Sequence, residues 1–156
     1  MNALAPFPQS ATASACGGVQ RPPPGHIARL SLQQRLLSHD CRLRLLVGPA
    51  GFGKTVLLAD CARECPATHH LLWLSCAGEG WHVEQLAQQL GKLLNYPADL
   101  SSGEVLETLA QESRPLWIML NDYPAQPNLA LDAYLNQLLM VTPPGICWWL
   151  GSRRRP

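Results

Sequence analysis

The stretch Leu43-Arg44-Leu45-Leu46-Val47-Gly48-Pro49-Ala50-Gly51-Phe52-Gly53-Lys54-Thr55-Val56-Leu57-Leu58 constrains this chain more than any other. An apolar run enters a glycine-rich turn, and an apolar-periodic segment leaves it without a break. Gly48, Gly53, Lys54 and Thr55 satisfy the spacing G-x-x-x-x-G-K-[ST] of a phosphate-binding loop. The chemistry explains the spacing. Several backbone N–H groups must aim at one anion, and glycines allow the chain to turn tightly enough to do so. The helix that follows adds its unsatisfied N–H groups and the positive end of its dipole. Lys54 is then placed to reach the β- and γ-phosphates of ATP, and the Thr55 hydroxyl to ligate Mg2+. A glycine-rich turn that binds nothing can carry the same string, but the strand before it and the helix after it favour the nucleotide reading.

The chain has 156 residues, room for one domain with a core of useful size. With 47% hydrophobic and 15% charged residues it reads as globular. A formal net charge of +1 gives no global attraction to nucleic acid or to an anionic membrane. The sequence has no apolar run of membrane-spanning length, and its N-terminus does not look like a signal peptide. A cytoplasmic protein with six reduced cysteines is expected. Cys61, Cys65, His69 and His70 lie close together, but their spacing fits no standard zinc finger, and Pro66 interrupts the helix between them. Cys61 and Cys65 are read as small hydrophobes.

Residues 1–25 are rich in Ala, Ser and Pro and end in Pro22-Pro23-Pro24-Gly25, which reads as a disordered or extended leader that contributes nothing to the core. Residues 26–156 form the candidate domain. A short helix over 31–38 leads to a strand at 43–47, and the helix after the loop runs from about Lys54 to Glu64. Further strands are expected at 71–75, 116–120 and 146–150. Further helices are expected at 81–94, around Val105, Leu106 and Leu109, and at 129–140. Continuous apolar strands alternating with helices predict a mostly parallel α/β sheet covered on both faces, with its ligand at the strand C-termini. The strand at 116–120 is followed by Asn121-Asp122, where an acidic residue completing a magnesium site would stand. The other reading of Asp122 is a turn cap before Pro124.

Gly48 to Thr55, then Asn121-Asp122-Tyr123, then Gly151-Ser152-Arg153 resemble the ATPase domain of the large LuxR-type ATP-binding transcriptional regulators, of the STAND class of P-loop NTPases. The lead-in Ile27, Arg29, Leu32 and Leu36 matches as well, so the resemblance covers about 21–156. It implies a three-layer P-loop NTPase fold and a regulator switched by ATP and an inducer, self-associating through the ATPase domain. It also implies that sensor repeats and a helix-turn-helix lie outside this chain, whose sheet is then incomplete at its C-terminal side. No direct DNA binding by this chain is expected.

The same resemblance assigns roles. Asn121 falls at the magnesium-side position, where the family carries an aspartate. An amide there keeps its hydrogen bonds but loses the charge, so hydrolysis should be weak. Asp122 matches the acid that orients the attacking water, and Arg153 matches the arginine that senses the γ-phosphate. Arg154 and Arg155 are read as a solvated basic tail. The competing readings are a small self-contained P-loop ATPase or kinase and an inactive remnant.

Overall fold

A computed structural model describes residues 18–156. The elements run α1 (Leu30–Leu37), β1 (Leu43–Val47), α2 (Lys54–Arg63), β2 (His70–Ser75), α3 (Val83–Leu94), α4 (Ser102–Ala110), β3 (Leu116–Tyr123), α5 (Leu129–Val141) and β4 (Ile146–Ser152). The four strands form one sheet in the order β1-β4-β3-β2, and every pairing is parallel. Parallel strands need a crossover between them, and the helices supply it.

Strand alternation divides the core into two. Leu116, Ile118 and Leu120 of β3 join Leu72, Leu74, Trp148 and Leu150 under α3, α4 and α5. The intervening Trp117 and Met119 join Trp73, Trp149 and the α2 residues Leu57, Leu58 and Cys61. Both faces of the sheet are therefore dry, which is why its strands are apolar at nearly every position. The result is a three-layer α/β protein, as the sequence predicts. Helix ends follow local chemistry. Ser101 and Glu104 form a capping box at the start of α4, and Asn128 caps α5 by accepting from the Leu131 amide.

Arg44 interrupts the apolar run of β1, yet it is buried. Its guanidinium lies 4.5 Å from the Trp149 ring centre, Nε donates to the Leu36 carbonyl at 2.6 Å, and Nη1 to the Cys41 carbonyl at 3.1 Å. It thus ties the end of α1 to the sheet through hydrogen bonds and a cation–π contact. Cys61 is buried beside it, and burial pushes its thiol up to about 11. Cys41, Cys61, Cys76 and Cys147 are free thiols.

The leader falls mostly outside the described residues. Its last part has no helix or strand, but the expectation that it never meets the core fails at Val19, which packs against the α2-side core. The Gln20 carbonyl accepts from Arg63 Nη2 at 3.1 Å.

The two faces make opposite demands on substitution. Ile118, fully buried in β3, should lose about 2–5 kcal/mol on truncation to Ala, whereas Leu129, 87% exposed at the start of α5, should change stability by less than about 0.5 kcal/mol on the same truncation. Urea unfolding of the two variants checks this.

Candidate functional site

The glycine-rich loop joins the C-terminal end of β1 to α2. Gly51 and Gly53 have φ of 81° and 73°, left-handed values that favour glycine, and Gly53 is the N-cap of α2. Lys54 folds back over the loop, its Nζ donating to the carbonyls of Gly48 at 2.6 Å and Pro49 at 2.8 Å. Its ammonium therefore sits over the loop's own backbone. Pro49, Ala50 and Phe52 are exposed, and Phe52 is 62% exposed. The half-buried Thr55 lies in the first turn of α2, and its hydroxyl makes no hydrogen bond among the described residues.

Sheet order brings the other predicted residues alongside. Because β1 pairs with β4, the Gly48 amide donates to the Ser152 carbonyl at 3.2 Å, one residue before Arg153. The Ser152 hydroxyl, 1% exposed, donates to the Tyr123 carbonyl at 3.3 Å. One buried serine thus links the loop strand, β4 and β3. Sequence patterns alone give Ser152 no role; its place between Gly151 and Arg153 is the available signal.

Asn121 and Asp122 do not follow β3 but lie within it, at a bulge. Leu120 pairs with Leu150 and Tyr123 with Ser152, so two β3 residues stand against Gly151 alone. The bulge resets the alternation. Asn121 stays on the α2 side, Asp122 is pushed out to solvent with φ 54°, and Tyr123 turns back into the core. Asn121 is 2% exposed; its Nδ2 donates to Asp122 Oδ2 at 3.2 Å, while its Oδ1 has no partner among the described residues. A Cβ added to Gly151 would stand 3.7 Å from that Oδ1 and 2.7 Å from Leu58 Cδ1. The absence of a side chain there lets the Asn121 amide and α2 approach the same point of β4. A neutral oxygen donor, buried and unsatisfied, beside the loop helix fits a cation or its hydration water.

Arg153 is exposed and, with Asp122, Glu79 and Trp81, lines a cleft of about 580 Å3 between the 76–81 and 123–128 loops. The neighbouring Arg154 corrects the expectation of a basic tail. Its Nη2 bonds both oxygens of Asp132, at 3.0 and 2.9 Å, and Asp132 Oδ1 also accepts from the Tyr123 hydroxyl at 2.9 Å. Burial and this carboxylate raise the Tyr123 phenol well above its ordinary value, so it stays a donor. Arg155 remains exposed. On the far flank of α2 a cavity of about 140 Å3 is lined by His26, Ile27, Arg29, Gly53, Val56 and Asp60. Arg29 Nη1 donates to the Phe52 carbonyl at 3.0 Å.

No family model and no curated protein matches the chain. Among solved structures it is similar to a chain of Drosophila ORC bound to AT-rich DNA and Cdc6, with a TM-score of 0.54, 14% identity, 80% of this chain covered and 44% of that one. That likeness is one of fold, a three-layer α/β P-loop NTPase arrangement around a parallel sheet. C. elegans PCH-2 is a more distant likeness, with a TM-score of 0.43, 17% identity, and 78% and 32% covered. The chain thus spans less than half the length of the ORC-complex chain it matches. Within this P-loop NTPase fold the loop and the ends of β4 and β3 share one edge of the sheet.

The bulge and the Asp132 network differ in what they cost. Replacing Asp122 with Gly should change stability by less than about 1 kcal/mol, because relief of the left-handed strain offsets the loss of the hydrogen bond from Asn121 Nδ2. Asp132→Asn should lower it by about 1.5–3 kcal/mol, the worth of hydrogen bonds to a charged group. Chemical denaturation at pH 7 compares the two.

Proposed function

We propose that the chain is an ATP-binding switch module of a LuxR-type transcriptional regulator, working in the cytoplasm where ATP is supplied. The observation that carries the nucleotide part is the loop itself. The Lys54 ammonium bonds the Gly48 and Pro49 carbonyls at the N-terminus of α2, beside the end of β4. In this reading the loop amides and Lys54 take the phosphates of ATP or ADP. Thr55 and the unsatisfied Asn121 Oδ1 would hold Mg2+, which supplies charge neutralisation on the phosphates. The nucleoside end lies against the cavity walled by His26, Ile27 and Arg29.

Asp122 orients the attacking water and Arg153 meets the γ-phosphate, both from the cleft side of the sheet. Asn121 contributes no charge, so ATP is bound and turned over slowly or not at all. Signalling through bound nucleotide, with self-association of the ATPase domain, suits such a site better than rapid hydrolysis. The regulator assignment is supported by the order and spacing of the motifs at 48–55, 121–123 and 151–153. Sustained multiple turnover would instead favour a self-contained ATPase or kinase, for which the cleft beside Asp122 leaves room for an acceptor.

Titration with ATP and ADP tests the assignment. Lys54→Ala should abolish measurable ATP binding, because the phosphates lose their point charge. Arg153→Ala should weaken ATP more than ADP, since only ATP carries the group it meets. Asn121→Asp should tighten Mg-ATP binding by about 1 kcal/mol, one restored charge partly screened by water. Unchanged ATP affinity in the Lys54 variant would remove the loop from the site. Equal losses of ATP and ADP in the Arg153 variant would remove Arg153.

A further inference from the structure

One buried carboxylate that the phosphate site does not use holds the segment ahead of α1 in place. Asp60 lies nearly two turns beyond Lys54 on α2 and is 7% exposed. Its Oδ2 is 2.8 Å from His26 Nε2, and its Oδ1 accepts from Arg63 Nη1 at 2.6 Å. Arg63 in turn donates through Nη2 to the Gln20 carbonyl. The Asp60 backbone carbonyl accepts from Gln33 Nε2 at 3.1 Å, and Gln33 is the buried residue of α1. Chain on both sides of the Pro22-Pro23-Pro24 run is therefore fastened to the same turn of the loop helix.

The fastening reaches the loop. Three residues after His26, Arg29 donates to the Phe52 carbonyl, and its Nη2 would lie 3.4 Å from a Cβ at Gly53. His26, Arg29 and Asp60 are three of the walls of the cavity on this flank of α2. A carboxylate taken out of water gains little net stability even when paired, and an apolar residue would fill the same position of α2 at lower cost. What the carboxylate adds is direction. Among the described residues it accepts from His26 and Arg63, so it selects one arrangement of the 20–29 segment over the alternatives.

We propose that Asp60 is a positioning residue of the nucleotide site. Acting through His26 and Arg63, it holds the 20–29 segment as the wall that the nucleoside end of the ligand meets. The proposal rests on the ATP-binding reading above. A segment already ordered need not be ordered by the ligand, so the clasp raises affinity for ligands that touch it and does nothing for ligands that touch only the loop.

The test compares ATP with inorganic tripolyphosphate on the full 156-residue chain. His26→Ala is the main variant, because His26 is partly exposed and its loss leaves Asp60 paired with Arg63. It should weaken ATP about tenfold, the worth of one hydrogen bond to a charged group, and change tripolyphosphate less than about twofold. His26→Gln, whose amide can still donate to Asp60, should recover most of the ATP affinity. Equal loss of both ligands in His26→Ala, or no loss of ATP, would overturn the clasp. Lys54→Ala, with the clasp intact, should lose both ligands. If it keeps both, or if tripolyphosphate does not bind the wild type, the phosphate-loop reading itself fails.

Discussion

Parallel pairing of β1 with β4 is the constraint on which the rest of this molecule depends. It puts the Gly48 amide against the Ser152 carbonyl, and so sets the start of the phosphate loop beside the end of β4. The Ser152 hydroxyl passes the same constraint to Tyr123 on β3. Had β1 paired with β2, its neighbour in sequence, the loop would face the 76–81 turn, and Asn121, Asp122 and Arg153 would stand a strand or more away. The order β1-β4-β3-β2 also buries the two central strands on both faces, which accounts for the apolar runs at 116–120 and 146–150.

On that frame the β3 bulge decides the chemistry. Without it Asn121 and Asp122 would simply alternate, and Asp122 would point into the core shared with Leu120 and Tyr123. With it the carboxylate reaches solvent beside Arg153, and the amide remains buried against Gly151 and Leu58. The uncharged residue therefore occupies the dry position and the charged one the wet position. Burying a carboxylate in place of Asn121 would require a cation to offset its lost hydration. A buried amide needs none. On the proposed reading, this is the physical basis on which the site would retain nucleotide more than consume it.

Much of this architecture is legible in the amino-acid sequence. The strand-loop-helix unit at 43–63 follows from glycine placement and apolar period, and the alternation of elements is enough for a parallel three-layer sheet. The proximity of residues near 48, 121 and 153 requires only that the sheet be parallel and ordered as observed. What cannot be read there depends on long-range geometry. The bulge is invisible because Leu120-Asn121-Asp122-Tyr123 carries no local mark of a register shift. Arg154 looks like one of three tail arginines, and only the fold shows Asp132 waiting for it on α5. Arg44 and Asp60 look like ordinary charged residues of a strand and a helix; their burial depends on α1 and the 20–29 segment lying over them. Val19 is hidden for the same reason.

The central claim is that one nucleotide is seated by the loop at 48–55 with the ends of β4 and β3 beside it. Amide hydrogen exchange with and without Mg-ATP tests this most directly, because it reports every segment at once. The account predicts slower exchange at 51–56 on adding ATP, with weaker protection at 121–123 and 152–153, and no change along α3 at 83–94. Unaltered exchange at 51–56, or protection confined to segments away from the loop, would contradict it.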